Sequence, residues 1–439
     1  MGQRTTSLPD HSAATVAQPG RSVYPWVVFA LVFSLLLSDY MSRQVLNAIF
    51  PFLKSDWGVS DSQLASLSSV VALTVGLLTL PLSLLADRWG RLKSLAVMAV
   101  VWSAATVLCA VAGNYQQMLA ARFLVGVGEA AYGSVGIAVV LSVFAPRVHA
   151  TLSGSFMAGT TFGSMIGVAA GGAIATHMSW RWSLACMAVL GLILVAVFRV
   201  VVTERRLARH RIDPDPANDT ASGTTAGGNE RARLSSLVTN PAVLCAYLGS
   251  ALQMFTAAAL LAWLPSFFNR DYHLVPDRAG AAASGFVLLI GVGMVCCGIL
   301  TDWAGRLVIY RKWVTAVVYC AISLVTLTTG FLCQTGPLQL ILIGIGAFFS
   351  GGSSGAVTAM VAHLTHPSIR SSAFGTVTVV NNLLGMALGP FVVGILADHL
   401  GLRQALQLAP LAYLLAIAAL LAGRYRHIVQ TSAVPKLAV

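Results

Sequence analysis

Apolar runs almost free of charge recur along the whole chain, at roughly 24–53, 64–86, 94–113, 118–144, 151–176, 182–198, 241–268, 279–301, 313–333, 337–362, 372–397 and 404–423. Most reach the ~20 residues that cross a hydrocarbon layer as a helix. The pattern predicts an all-α membrane protein with about twelve spans. The ten-residue alternating segments of a membrane β-barrel are absent. Residues 203–240 break the rhythm, first rich in Arg and Glu, then reading Asp213-Pro-Asp-Pro-Ala-Asn-Asp219 and Ser222-Gly-Thr-Thr-Ala-Gly-Gly228. That composition predicts a solvated, disordered linker. It divides the chain into a tail (1–22), a six-helix bundle (23–202), the linker (203–240), a second six-helix bundle (241–426) and a tail (427–439).

Composition agrees with this reading: 57% of residues are hydrophobic and only 10% charged, against about 25% charged in soluble proteins. The net charge of +12 raises nucleic acid as a partner, but its distribution removes it. With the N-terminus inside and each run crossing once, twenty Lys and Arg fall inside and five (Lys54, Arg181, Arg270, Arg278, Arg403) outside. Arg43 and Arg122 remain within the membrane. This is the positive-inside pattern, and it predicts a multi-pass protein of the inner or plasma membrane with both termini cytoplasmic. The seven cysteines lie within apolar runs, without zinc-like spacing, and read as packing residues. No P-loop or Cys-His dyad is present, so neither a metal, a cofactor nor an enzyme is expected.

The second half echoes the first. Ser83-Leu-Leu-Ala-Asp87-Arg88-Trp-Gly90-Arg91 aligns with Gly298-Ile-Leu-Thr-Asp302-Trp-Ala-Gly305-Arg306 at an offset of 215. Pro146 and Gly154 align with Pro367 and Gly375 at an offset of 221. Gly159, Gly163, Gly167 and Gly171 in the fifth run, with Gly385 and Gly389 in the eleventh, form small-residue stripes that let helix backbones approach closely.

These residues resemble the major facilitator superfamily, whose hallmarks are Asp-Arg-x-Gly-Arg between helices 2 and 3, its copy between helices 8 and 9, and a 6 + 6 arrangement. The resemblance implies two bundles rocking about a central cavity. It also implies a conformational latch at Asp87, Arg88, Arg91, Asp302 and Arg306, with Ser83 in place of the usual glycine. Within the superfamily, Arg122-Phe-Leu-Val-Gly-Val-Gly-Glu129-Ala-Ala-Tyr132 resembles the spinster branch of lysolipid and sphingosine-phosphate transporters. Ser38-Asp39-Tyr40-Met41-Ser42-Arg43 is similar to that branch's Asn-Tyr-Met-Asp-Arg. Here Ser42 stands at the branch's acidic position and Asp39 at its Asn.

Asp39, Arg43, Arg122 and Glu129 are the charges deep inside spans, where such groups cost several kcal/mol unless paired or wetted. At 1.5 Å per residue, Arg43 lies roughly 17 Å and Glu129 roughly 20 Å below the outer ends of their helices, and Arg122 roughly 9 Å. The expectation is a proton-accepting Glu129, with Asp39, balanced by Arg43, while Arg43 or Arg122 attracts an anion. The bland alternative is a permanent salt bridge joining two helices. Tyr132, Gln253 and Asn381 are further substrate-binding candidates, each with a packing alternative. The second half carries no deep charge and offers an apolar wall. The chain therefore reads as a monomeric, proton-coupled secondary transporter of an amphiphilic or small organic anion. A small carboxylate or sugar acid is the alternative substrate, and a non-transporting sensor the remote one.

Overall fold

The computed structural model describes residues 23–145, 148–210, 236–305, 311–352, 356–357, 360–361, 364–365 and 369–432. Every regular element among them is helical. Eleven helices are long and apolar enough to cross a membrane, and a shorter apolar helix, Pro337–Ser350, stands where the tenth belongs. Spans 1 to 3 are Tyr24–Trp57, Asp61–Trp89 and Arg91–Val111. Span 4 comes in two pieces, Tyr115–Glu129 and Tyr132–Leu141, followed by spans 5 (His149–His177) and 6 (Trp180–Val201). Spans 7 to 9 are Pro241–Asp271, Pro276–Gly305 and Arg311–Leu332, and span 10 starts as Pro337–Ser350. Span 11 comprises Arg370–Val380, a π-helix Asn381–Ala387 and Leu388–Leu400; span 12 begins with Leu402–Leu408 and ends with Ala412–Ser432.

Local chemistry moves several boundaries from their expected places. Span 1 continues to Trp57, where Gly58 adopts φ +61° and its N–H closes on the Lys54 carbonyl at 3.0 Å. Ser60 then caps span 2 in a capping box with Gln63. Trp57 and Asp61, which lie between the apolar runs 24–53 and 64–86, thus end one helix and start the next. The linker expected over 203–240 opens with a helix, Glu204–His210, whose Leu207 packs on the core and whose His210 ring lies 4.6 Å from Tyr24. Span 12 runs to Ser432, past the expected tail boundary at 426, because no glycine or proline interrupts it between Gly423 and Pro435. The tails 1–22 and 433–439, linker residues 211–235 and the latch residue Arg306 lie outside the described residues.

The glycine stripes decide how the spans meet. Gly159, Gly163, Gly167 and Gly171 lie against Phe33, Leu37, Met41 and Val45, so span 5 runs beside span 1 at backbone contact. Gly172, one step round the helix, meets Pro276 and Gly280 of span 8 instead. Gly385 and Gly389 repeat the arrangement in the second half, pressed on Ala251, Met254 and Phe255 of span 7. The two halves meet where span 2 packs on span 11, span 5 on span 8 and span 1 on span 7. The interruptions follow the repeat as well. Span 4 breaks after Glu129 and the first helix of span 10 ends at Ser350, which matches Glu129 at the 221-residue offset.

Candidate functional site

Glu129 is the last residue of the first piece of span 4, and close packing on both sides sets its place. A methyl group on Gly126 would strike Thr74 and Val71 of span 2, and one on Gly128 would strike the Trp102 backbone of span 3. Beyond Glu129 the helix is interrupted at Ala130 and Ala131. The hydroxyl of Thr79 in span 2 lies 2.7 Å from the Ala130 carbonyl. A freed carbonyl inside a membrane protein needs such a donor.

Around this break the structure gathers charge from spans 1 and 4. Arg43 Nη1 lies 3.8 Å from Glu129 Oε2, an ion pair too long for a hydrogen bond. Asp39 is 4% and Glu129 7% exposed, and their carboxyl groups lie within hydrogen-bonding reach of each other. Asp39 Oδ1 and both Glu129 oxygens receive no hydrogen bond from any other group. Ionised carboxylates only accept, so the Asp39–Glu129 contact becomes a hydrogen bond when one of them carries a proton. Ser42 turns away, its hydroxyl donating to the Asp39 carbonyl at 2.9 Å. Asp39 is therefore the helix 1 acid that meets Glu129.

The remaining candidates occupy different settings. Arg122 is 1% exposed, and its Nε and Nη2 make no hydrogen bond. Tyr132 is fully buried; its ring meets Trp102 edge-on and its hydroxyl donates to the Val32 carbonyl at 3.0 Å. That use ties span 4 to span 1. Gln253 is buried on span 7. Asn381 starts the π-helix of span 11, with its side-chain oxygen buried and unbonded. Its neighbour Asn382 donates to the Thr378 carbonyl and packs on Gly76 of span 2. Of the candidates, Asp39, Arg43 and Glu129 are brought together.

Arg43 also lines a small cavity of about 30 Å³ between the halves, shared with Gln44, Asn47 and Ser68 on one side. Ala258, Leu261, Ala262, Met386 and Pro390 form the other wall. The first half supplies every polar side chain of this lining, and the second half supplies an apolar face. Gln44 and Asn47 are absent from the sequence-derived candidates. Their i, i+3 spacing next to Arg43 places all three along one side of span 1, and that spacing was a readable signal.

At the end that the charge asymmetry assigns to the outside, the halves are bound together. Asp61 takes Arg270 of span 7 at 2.8 and 2.6 Å and Lys54 at 2.7 Å. Asp398 of span 11 accepts from the backbone N–H of Asp61 and Ser62 at 2.6 and 2.9 Å, where a helix N-terminus favours negative charge. In the sequence Lys54 and Arg270 read only as topological charges, and no pattern singles out Asp398. At the opposite end, Asp87 pairs with Arg91 of its own turn at 3.1 Å and Asp302 with Lys312 at 3.3 Å. Arg88 is exposed beside them.

Comparison with known proteins decides what this architecture is. The sequence pattern of the Major Facilitator Superfamily matches residues 32–390. The chain belongs to the Major Facilitator Superfamily. Among facilitators it is similar to protein spinster homolog 1 of Xenopus laevis, at 25% identity over 411 residues, covering 89% of this chain and 76% of that protein. It is also similar to a probable L-galactonate transporter of Escherichia coli K12, at 23% identity over 377 residues, covering 84% and 82%. A solved bacterial homolog of the human lysosomal transporter Spinster, in an inward-facing and occupied conformation, shares the fold with a TM-score of 0.77 at 17% identity. That match covers 92% of this chain and 97% of the other. The chain is a spinster-like facilitator, a transporter and not an enzyme.

Proposed function

We propose that this facilitator moves an amphiphilic or small organic anion across the plasma membrane together with a proton, as a monomer working by alternating access. The observation that carries the reading is the division of the small cavity between the halves: Arg43 and amide groups on one wall, apolar side chains on the other. A substrate that fits both walls has one anionic end and one apolar end. A charge count supports the coupling. Asp39 and Glu129 bring two negative charges, Arg43 and Arg122 two positive ones, in a region where net charge is costly. A proton shared by the two acids leaves one positive charge in excess, which an anion neutralises. Proton and anion binding therefore favour each other. The paired outer ends and the latch aspartates held within their own turns support assignment of this conformation to the inward-facing state.

A sugar acid or other small carboxylate is the second reading. Gln44 and Ser68 offer hydrogen bonds that a sugar acid's hydroxyl groups would use, and an L-galactonate transporter is among the relatives. The test is thermal-shift screening of the purified chain against lysolipids, sphingoid phosphates, hexuronates and gluconate, then proteoliposome transport of each stabilising ligand with and without a pH gradient. Stabilisation by a lysolipid and pH-driven accumulation support the main reading, and stabilisation by a sugar acid alone supports the second. Accumulation indifferent to the gradient would remove the proton coupling.

A further inference from the structure

A proline inside a helix has no N–H to give to the carbonyl four residues earlier. Span 7 contains Pro265, so the Leu261 carbonyl has lost its helical donor. Span 1 contains Pro51, which does the same to the carbonyl of Asn47. Pro51 and Pro265 are 214 residues apart, within one residue of the 215 offset that relates the Asp87 and Asp302 turns, so the two openings occupy corresponding places in spans 1 and 7. A side chain joins the two sites. Asn47 Nδ2, from the first half, donates to the Leu261 carbonyl of the second half at 3.3 Å.

The Asn47 amide is held in that orientation. Its Nδ2 also donates to Gln44 Oε1 at 2.6 Å, and its Oδ1 accepts from Ser68 Oγ at 2.9 Å. The two bonds within the first half are short, and the one that crosses between halves is the longest. Separation of the halves at the outer end breaks the crossing bond and keeps the other two. The Leu261 carbonyl is then an acceptor without a donor in a cavity wall, a state that costs free energy until another donor arrives. Arg43 lines the same cavity.

We propose that the Leu261 carbonyl is a substrate subsite, with Asn47 its placeholder in the closed state. Its ligand is a hydroxyl or ammonium group of an anion whose acidic group lies on Arg43. This rests on the anion-transport reading and narrows it. The preferred substrate carries a hydrogen-bond donor near its charged end, as a sugar acid or an amino- or hydroxyl-bearing lipid phosphate does. A plain fatty acid or alkyl phosphate lacks that donor.

The experiment measures binding to the purified full chain for two matched pairs: gluconate against hexanoate, and sphingosine phosphate against hexadecyl phosphate. In the unaltered protein the donor-bearing member of at least one pair binds about tenfold tighter, the factor that one net hydrogen bond to a buried acceptor supplies. Pro265→Ala returns an N–H to the Leu261 carbonyl, and the ratio falls to within twofold. Asn47→Ala removes the placeholder, and the ratio holds or rises. The second variant decides alone if the first does not fold. Equal binding of both members in the unaltered protein, a tenfold ratio kept by Pro265→Ala, or a ratio lost in Asn47→Ala would each overturn the subsite while leaving anion transport standing. Failure of all four anions to bind would overturn the transport reading and the subsite with it.

Discussion

Arg270 of span 7 grips both carboxylate oxygens of Asp61 at the start of span 2, at 2.8 and 2.6 Å. Asp61 is almost fully buried while Arg270 keeps partial access to solvent, so the pair is a charge-assisted, two-pronged bond at the seam between the halves. Lys54 supports it from span 1, and Asp398 holds the same helix start from span 11. Arg270→Gln should cost about 1–3 kcal/mol of the closed outer end, as for a buried acceptor left short of donors. Labelling of a cysteine placed at Ala258 by a membrane-impermeant reagent added from outside should then rise about tenfold or more. An unchanged labelling rate would show that the pair does not hold the outer end shut.

The two facing acids give a separate expectation. Glu129→Gln and Asp39→Asn each remove one titratable carboxyl group while keeping size and hydrogen-bonding capacity. Either variant should lose accumulation driven by a pH gradient and retain substrate exchange across the membrane. Proteoliposome uptake measured with and without the gradient distinguishes the outcomes. Gradient-driven accumulation at the unaltered rate in both variants would leave the acids a structural role only.

The latch turns are tested by their effect on the other conformation. Asp87 contacts only Arg91 of its own turn among the described ion pairs, so this state does not draw on it to join the halves. Asp87→Asn should leave the present conformation intact and depopulate the outward-facing one. The labelling rate from outside at Ala258 should fall and labelling from the opposite side should rise. Equal rates before and after substitution would count against a latch.

Packing along span 5 separates a stripe glycine from a free one. A methyl group on Gly167 would meet the Met41 backbone, whereas one on Gly154 would meet nothing. Gly167→Ala should destabilise by about 1–3 kcal/mol, the usual cost of overpacking. Gly154→Ala should be neutral or stabilise by up to about 1 kcal/mol through helix propensity. Thermal melting in detergent compares the two, and equal melting temperatures would refute close span 1–span 5 contact.

Much of this was legible without coordinates because a membrane is a one-dimensional filter on composition. Runs of apolar residues must be helices, cations must collect on one side, and a charge inside a run is rare enough to be noticed. Asp39, Arg43, Arg122 and Glu129 stood out for that reason, as did the repeat at Asp87 and Asp302. The helix ends were harder. Residues 54–63 fall between two apolar runs, yet the left-handed Gly58 and the Ser60 cap let one helix reach Trp57 and the next begin at Asp61.

By itself, the sequence determined the class of protein, nearly all of its helical spans, the internal duplication and the charges lying deep inside apolar runs. Those follow from composition and periodicity along the chain. Tertiary structure alone decided that Asp39 rather than Ser42 meets Glu129, that Tyr132 ties span 4 to span 1, that Arg270 finds Asp61, and that Asn47 reaches the carbonyl released by Pro265. The reason is rotational. Depth along a helix can be counted at a fixed rise per residue, but the partner of a side chain depends on how each helix turns about its own axis. That angle is set by the glycine contacts between spans, which join residues far apart in the chain.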